Sequence, residues 1–367
     1  MIKNCYIHIP FCDKICSYCD FCKMYKYDKF IDSYLDALER EINTIYNGEE
    51  LETIYIGGGT PSSLSVSQLE RLFNILDIFN KSNNIEYTIE NNFENTNREK
   101  LELYKKVGIN RLSFGIETIS KDGLKLLERD LDLDKVRDTI NTCRELGFNN
   151  INVDLMYALP NETIDDLSKD LDYIYSLDVE HISTYSLIIE DHTKLKIDGI
   201  NNISEDLDYD MYKYICREMK KHNYKHYEIS NFSKDGYESH HNLCYWNNDN
   251  YYGFGLGASS YIENRRIVNT RSLDNYRKEK YVKEIEYLDM DDTMEYEVIL
   301  NLRKKDGIDL DKFKDRYNKE LSSVYSYSDL VELGVLELYN NHLYIPEDKW
   351  YISNSIIVDV LERKIYG

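Results

Sequence analysis

Apolar and polar positions along the first half of the chain follow two alternating periods. Short apolar runs typical of strands alternate with segments whose apolar residues recur every three to four positions, as in amphipathic helices. The predicted strands are Cys5 to Ile9, Thr53 to Ile56, Glu86 to Glu90, Arg111 to Glu117, Asn150 to Leu155 and His181 to Leu187. This alternation predicts six βα units around a parallel sheet. Six strands are too few for a filled eight-stranded barrel, so we expect an α/β fold with a partial (β/α)6 barrel and its chemistry at the strands' C-terminal ends.

The second half of the chain shows different patterns. A helix is predicted near Leu207 to Lys221, followed by an aromatic-rich block, Tyr224 to Tyr261, that is predicted to be irregular. From about Met294, short helices precede a hairpin at Val335 to Leu338 and Leu343 to Ile345 and a final helix, which predicts a winged-helix-like module. The predicted domains are a barrel (1–200), an aromatic-rich extension (201–285) and a C-terminal α+β domain (286–367).

The charge balance weighs against a nucleic-acid partner. The chain has 67 acidic and 45 basic side chains, a formal net charge of −22, whereas phosphate backbones are bound by clustered lysines and arginines. For the winged-helix-like module we therefore favour a packing or interaction role over DNA recognition. No apolar run approaches the roughly 20 residues of a membrane span, and the first residues lack a signal-peptide core. We expect a cytoplasmic protein, with peripheral contact to a membrane left open.

Five of the eight cysteines lie within the first 22 residues. Cys12, Cys16, Cys19 and Cys22 have the spacing C-x3-C-x2-C-x2-C directly after a predicted strand. In a reducing compartment, grouped cysteines more often hold a metal or do redox work than form disulfides. A loop with three thiolates can bind one face of a 4Fe-4S cluster and leave one iron open for chemistry. Structural zinc is the alternative, although it usually takes two separated C-x2-C pairs, and here the two pairs share Cys19.

Further polar residues follow the next strands. The segment GGGTP, residues 57–61, comes after the second strand, and its glycines let the backbone approach a ligand closely. Glu90, Glu117 and Asp154 lie within strands three to five, and Arg129 follows strand four. Carboxylates inside such apolar strands are not readily explained as solvated surface. We expect these side chains to face a ligand at the C-terminal ends of the strands.

The sequence CDKICSYC, residues 12–19, resembles the cluster motif of the radical S-adenosylmethionine superfamily. In that superfamily the amino and carboxylate groups of S-adenosylmethionine chelate the open iron, and an electron from the cluster cleaves the cofactor to a 5′-deoxyadenosyl radical. The resemblance implies that Cys12, Cys16 and Cys19 are the cluster ligands and that Tyr18 lies against the adenine. The role of Cys22 stays open.

The same resemblance implies a set of cofactor contacts. The glycine segment would hold the cofactor's amino group with its backbone. Glu90, Arg129 and Asp154 would contact the ammonium, carboxylate and ribose groups, with Tyr6 in their neighbourhood. The implied cofactor-binding residues are Tyr6, Tyr18, Gly58, Gly59, Thr60, Glu90, Glu117, Arg129 and Asp154.

This chain departs from the superfamily pattern at two of these positions. Glu117 stands where the family typically has Gln. A carboxylate there can still accept a hydrogen bond from a ribose hydroxyl, but it adds negative charge near the site. The segment ERDLDL around Arg129 lacks the usual preceding glycine and following histidine. Ser186, beside Tyr185 on the sixth strand, is a further candidate for the cofactor rim.

Longer segments narrow the resemblance to the coproporphyrinogen dehydrogenase branch of the superfamily. The segments that carry this likeness are YIHIPFC (6–12), GGGTPS (57–62), SFGIE (113–117) and NVDL (152–155). Within the branch, YEISNF (227–232) and the H-N-x-x-Y-W sequence HNLCYW (241–246) resemble the HemW family of haem chaperones.

Two features separate that family from the dehydrogenases, which have a long N-terminal extension and a C-x-C after the cluster cysteines. This chain begins five residues before Tyr6 and reads Cys19-Asp20-Phe21. Without the extension we expect it to enclose a radical and a porphyrinogen poorly. The resemblance therefore implies a haem chaperone that delivers haem to haem proteins. Radical decarboxylation of coproporphyrinogen III is the alternative activity.

Haem is thus the implied cargo. The imidazole of His241 can ligate haem iron while Tyr245 and Trp246 pack on the macrocycle. The alternative is that His241 forms hydrogen bonds within a buried irregular loop. Cys244 is a second soft ligand candidate, and Cys5, Cys143 and Cys216 are interpreted as core residues. The expected partners are haem, haem-accepting apoproteins, an electron donor for the cluster and a second copy in a homodimer, whereas the charge argues against tRNA.

Overall fold

The computed structural model describes residues 1–365. Strands and helices alternate in its first half, as the two periods of the sequence predict. The strands are β1 (Asn4–Ile9), β2 (Phe11–Cys12), β3 (Met24–Tyr25), β4 (Glu50–Gly58), β5 (Asn80–Asn91), β6 (Arg111–Glu117), β7 (Ile151–Tyr157) and β8 (His181–Ser186). The helices are α1 (Asp28–Ile45), α2 (Val66–Leu76), α3 (Arg98–Lys106), α4 (Lys121–Leu127), α5 (Leu133–Glu145) and α6 (Ile164–Ser176).

The six predicted strands are present as β1 and β4 to β8, and they pair in parallel in that order. Apolar faces of the helices pack on the sheet, as with Leu35 and Leu38 of α1. β4 and β5 are longer than predicted because their first residues are largely polar or exposed, so the apolar pattern does not mark them. The parallel arrangement brings the C-terminal ends of all six strands to one edge.

The middle of the chain extends this sheet at both edges. Its helices are α7 (Lys194–Ile197), α8 (Glu205–Lys221), α9 (His240–Trp246) and α10 (Leu273–Arg277). Its strands are β9 (Lys225–Glu228), β10 (Asn231–Ser233), β11 (Tyr251–Phe254), β12 (Ser259–Ile262), β13 (Arg265–Asn269) and β14 (Val282–Tyr287). The twelve-stranded order is β14-β13-β12-β11-β1-β4-β5-β6-β7-β8-β10-β9.

The prediction that residues 224–261 are irregular is therefore wrong. This block holds four short strands and α9, and β11 pairs in parallel with β1 from Asn4 opposite Tyr251 to Ile7 opposite Phe254. Strands of three or four residues are too short to show a clear alternation, and their partners lie far away in the sequence.

The C-terminal part packs around a core of its own. Its helices are α11 (Met290–Asn301), α12 (Leu310–Tyr317), α13 (Leu321–Val324), α14 (Ser328–Glu332) and α15 (Ser353–Glu362). Its strands β15 (Ile308–Asp309), β16 (Glu337–Tyr339) and β17 (His342–Tyr344) form a sheet of order β15-β17-β16. This sequence of elements matches the predicted winged-helix-like order. Buried residues of the barrel and of the extension, by contrast, share one continuous core. None of the helices within residues 1–365 is both long enough and apolar enough to cross a membrane.

Candidate cofactor site at the barrel mouth

The cysteine loop leaves the sheet at the C-terminal end of β1. Its two ends are joined by the pairing of β2 with β3, in which Cys12 lies opposite Tyr25. Cys12, Cys16 and Cys19 line one cavity of about 350 Å³. Burial raises the pKa of the Cys12 thiol to about 11, and the Thr60 hydroxyl, 3.6 Å from its Sγ, opposes this shift. The loop thus holds three thiols at one cavity.

The glycine segment after β4 lies against this loop. A Cβ atom on Gly59 would come within 2.9 Å of the Cys12 Sγ and 2.8 Å of the Pro10 carbonyl carbon. Gly58 has a φ of +118°, which favours glycine, and its backbone N–H donates to Glu90 Oε2 at 2.9 Å. Close backbone approach is therefore required at both positions.

Glu90 and Asp154 line the same cavity from β5 and β7. Glu90 also accepts a hydrogen bond from the Tyr55 hydroxyl at 2.9 Å, and Asp154 accepts one from Asn152 Nδ2 at 2.8 Å. Burial raises the pKa of Glu90 to about 7 and raises the pKa of Asp154, because the charged forms lose hydration. A cationic ligand in the cavity would restore the ionised forms.

Glu117 and Arg129 form a buried ion pair beside these carboxylates. Arg129 Nη1 lies 3.5 Å from Glu117 Oε1, and Arg129 Nη2 donates to the Gly115 carbonyl at 2.7 Å. The Tyr18 hydroxyl donates to Glu117 Oε1 at 3.0 Å. Burial raises the pKa of Glu117, and the Arg129 guanidinium opposes that shift. Glu117 itself has a φ of +64°, a strained backbone conformation for a non-glycine residue at the end of β6.

Arg111 is a cavity residue that the sequence analysis missed. Its side chain is buried, lines the cavity and leaves its Nε atom without a hydrogen bond. The signal was present in the sequence, because the strand alternates with period two. Arg111, Ser113, Gly115 and Glu117 all line the cavity, and the intervening apolar residues are buried in the core.

The other predicted residues are more scattered. Tyr6 lies outside this cavity, and its hydroxyl shares a 3.0 Å hydrogen bond with His8 Nδ1. Ser186 donates to Asp208 Oδ2 at 2.6 Å and does not line the cavity, whereas its neighbour Tyr185 does. Cys5 and Cys143 are buried in the core, and Cys216 packs against it, as predicted.

The H-N-x-x-Y-W sequence forms α9. His241 is buried, with Nδ1 2.7 Å from Thr53 Oγ1 and Nε2 2.8 Å from the Tyr245 hydroxyl, and burial lowers its pKa to about 3. Both ring nitrogens thus have hydrogen-bond partners in the protein, as the alternative interpretation of His241 predicts. That interpretation placed His241 in an irregular loop, whereas it lies in a helix. Cys244 is buried.

The cavity fits a 4Fe-4S cluster with S-adenosylmethionine. Thiolates are the ligands that iron–sulfur clusters prefer, and a side chain at Gly59 would crowd the space beside the Cys12 thiol. Three carboxylates (Glu90, Glu117 and Asp154) and four basic groups (Lys14, Lys23, Arg111 and Arg129) line it, so the cavity offers acceptors for the cofactor's amino and hydroxyl groups and cations for its carboxylate. Within residues 1–365, no three or more His, Cys, Asp or Glu side chains are spaced to hold a single metal ion.

Comparisons with known proteins show the superfamily and the fold. The family model of the radical SAM superfamily matches residues 6–174, and that of the HemN C-terminal domain matches residues 288–348. Coproporphyrinogen III oxidase (HemN) from Escherichia coli, a radical SAM enzyme, has the same fold, with a TM-score of 0.85 over 97% of this chain and 89% of that chain at 21% identity. The fold and the site therefore define a radical SAM protein.

Curated relatives identify the family within that class. The chain is 37% identical to the heme chaperone HemW of Bacillus subtilis (strain 168), over 97% of this chain and 98% of the relative. It is 36% identical to the heme chaperone HemW of Lactococcus lactis subsp. lactis, over 96% of both chains. The chain belongs to the HemW family.

Proposed function

We propose that this protein is a haem chaperone, which binds haem and delivers it to haem proteins. The observation that carries the proposal is the 37% identity to a heme chaperone over nearly the whole of both chains. The proposal includes a 4Fe-4S cluster held by Cys12, Cys16 and Cys19, with S-adenosylmethionine in the adjoining cavity. The arrangement of thiols, glycines and carboxylates at that cavity supports this part.

Each side chain of the cavity has a separate task in this proposal. Glu90, oriented by the Tyr55 hydroxyl and the Gly58 N–H, accepts a hydrogen bond from the cofactor's amino group. Asp154 accepts from the ribose hydroxyls, and Arg129 provides positive charge for the carboxylate. When bound, the cluster and S-adenosylmethionine supply one-electron reductive chemistry. The protein's part is to bind and orient them.

The alternative function is radical decarboxylation of coproporphyrinogen III. It is favoured by the fold shared with the E. coli oxidase over 97% of this chain. At 21% identity that likeness extends to the fold only, whereas the heme chaperones match at 36–37%. The chaperone is therefore the better supported function.

Delivery can be tested by haem transfer. We expect protein loaded with one equivalent of haem to pass it to a haem-free b-type cytochrome, faster than bovine serum albumin loaded in the same way. Transfer is measured by separating donor from acceptor and recording the acceptor's Soret band. Transfer no faster than from albumin would contradict a chaperone function.

The proposed partners follow from this function. They are haem-accepting apoproteins and a one-electron donor for the cluster, with a homodimer as the assembly and no nucleic acid. We propose a cytoplasmic location with peripheral contact to the membrane where an acceptor is membrane-bound. Fractionation of cells and gel filtration test these two points.

A further inference from the structure

A second cavity, of about 410 Å³, lies beside the cysteine loop, and we call it the Cys22 cavity. Phe21 lines both this cavity and the cofactor cavity, whereas Cys19 lines only the cofactor cavity and Cys22 only the second. The loop therefore presents three cysteines to one side and the fourth to the other. Its volume lies within the ~300–1,000 Å³ that is usual for cofactor sites.

The walls of the Cys22 cavity are aromatic. Tyr245, Tyr251 and Tyr261 line it together with Phe21, and the rings of Tyr245 and Tyr251 meet edge to face at 4.7 Å. Tyr245 belongs to the H-N-x-x-Y-W sequence, and its hydroxyl shares a 2.8 Å hydrogen bond with Nε2 of the buried His241. His241 thus acts on this cavity as a positioning residue for Tyr245 and does not itself line it.

Gly257 leaves room beside the Cys22 thiol. It has a φ of +71°, and a Cβ atom there would lie 2.6 Å from the Cys22 Cβ and 3.0 Å from its Sγ. A larger residue would therefore collide with the cysteine. His8 fixes the loop on the other side, because its Nε2 is 2.6 Å from the Cys22 carbonyl oxygen. The thiol is held at the edge of the cavity by backbone contacts.

Two arginines of the cavity lack a carboxylate partner. Arg266 and Arg271 line it, and among residues 1–365 neither forms an ion pair, although the chain has 22 more acidic than basic side chains. Arg266 is held over the Tyr296 ring at 3.9 Å and donates to Asn248 Oδ1 at 3.2 Å, and its buried Nε has no hydrogen bond. Asp249, also at the cavity, pairs with Arg316 instead. The two guanidinium groups are available for an anionic ligand.

We propose that the Cys22 cavity is the haem site, with Cys22 as an axial ligand and Arg266 and Arg271 binding the propionates. The aromatic cleft can pack against the macrocycle, the cysteine is one of the known axial ligands of haem iron, and the two guanidinium groups can bind its carboxylates. On binding, a bond forms between the Cys22 Sγ and the ferric haem iron, and the thiol proton passes to solvent. This inference rests on the proposed haem-chaperone function and assigns the haem-binding site to a particular cavity.

The test is a haem titration of the full-length, anaerobically reconstituted protein and its variants. We expect wild-type protein to bind ferric haem with a thiolate-type Soret band and low-spin electron paramagnetic resonance signal. Cys22→Ala should lose that signature while keeping the cluster absorbance, and Cys22→His should replace it with an imidazole-type spectrum. Arg271→Ala should weaken haem affinity about tenfold, as expected for one charge-assisted hydrogen bond.

The matched controls are Cys216→Ala and Arg265→Ala, which change a cysteine and an arginine outside the cavity. Both should bind haem as the wild type does. The inference is overturned if Cys22→Ala keeps the wild-type Soret band, or if His241→Ala loses haem while Cys22→Ala binds it normally. It is also overturned if Cys22→Ala loses its cluster, because Cys22 would then be a cluster ligand. A wild-type protein that binds no haem would instead refute the proposed function itself.

Discussion

At the scale of single residues, the cofactor site depends on carboxylates that are costly to ionise without a ligand. Glu90 keeps two hydrogen bonds that favour its charged form, from Tyr55 and Gly58. Burial outweighs them and raises its pKa to about 7. Without a ligand, the Glu90 carboxyl is therefore partly protonated near neutral pH. A cationic ligand favours the ionised carboxylate, so its binding releases this proton.

This linkage predicts a pH-dependent affinity for S-adenosylmethionine. A carboxyl with a pKa of about 7 is about one-tenth ionised at pH 6 and about nine-tenths at pH 8. If the cofactor's amino group, as a hydrogen-bond donor, selects the ionised form of Glu90, affinity rises with pH and Kd at pH 6 is about ten times that at pH 8. Calorimetric titration of the reconstituted protein measures it.

Glu90→Gln should weaken binding at pH 8 and remove most of this pH dependence. Tyr55→Phe should move the midpoint to higher pH, because it removes a hydrogen bond to the charged form. Glu99→Gln, an exposed change on α3, serves as the control. A wild-type affinity that is flat between pH 6 and 8 would refute the assignment of Glu90.

Gly59 provides a steric prediction at the same scale. Gly59→Ala places a methyl group 2.9 Å from the Cys12 Sγ and 2.8 Å from the backbone of Pro10, so the cysteine loop must shift. We expect the variant to fold but to lose most of its cluster absorbance and iron after reconstitution. Gly48→Ala is the control, since its left-handed backbone is strained but nothing lies within 4 Å. Equal iron content in both variants would rule out this contact.

At the scale of secondary-structure elements, α9 packs against the barrel strands. The Glu86 carboxylate of β5 accepts from the backbone N–H groups of His240 and His241, each at 2.9 Å. The Ser239 side chain accepts from the Asn242 N–H at 3.3 Å. This buried helix start thus has both a side-chain cap and a carboxylate facing its positive end.

Glu86→Gln should destabilise the protein through α9. The amide can accept from only one side, so a buried N–H group loses its partner and the free energy of unfolding falls by about 1–2 kcal/mol. Urea unfolding of the cluster-free protein measures this change. Glu102→Gln, on the exposed face of α3, should change it by less than about 0.5 kcal/mol. Equal effects of the two substitutions would contradict the capping role.

Comparison of the predicted and observed elements shows which parts of the fold the sequence pattern could predict. Long parallel strands with apolar periodicity were predictable, and β6 has the predicted bounds, Arg111–Glu117. The residues at the strand ends assembled into one cavity because parallel strands end at one edge. The strand β11 was not predictable, since its four residues pair with β1 residues that lie 247 positions earlier in the chain. Nor could spacing show that Cys22 faces another cavity, which depends on the contact with Gly257.

At the scale of the whole molecule, the core of the C-terminal part is joined to the main core by backbone hydrogen bonds and aromatic contacts. The Ile229 N–H donates to the Arg303 carbonyl, the Lys305 N–H donates to the Tyr227 carbonyl, and His226 meets the Trp350 ring edge to face at 4.4 Å. Leu300 of α11 also reaches the Cys22 cavity. The C-terminal part therefore borders the proposed haem site, whereas the cofactor site is built by the barrel with Asn242 of α9.

We expect the protein to carry haem and not to oxidise a porphyrinogen. This expectation is tested most directly by incubating reconstituted, reduced protein with S-adenosylmethionine and either haem or coproporphyrinogen III, then measuring bound haem and porphyrin products by chromatography. We predict one equivalent of bound haem and no decarboxylated product. Stoichiometric decarboxylation of coproporphyrinogen III with cleavage of the cofactor, and no retained haem, would show instead that the protein is a coproporphyrinogen dehydrogenase.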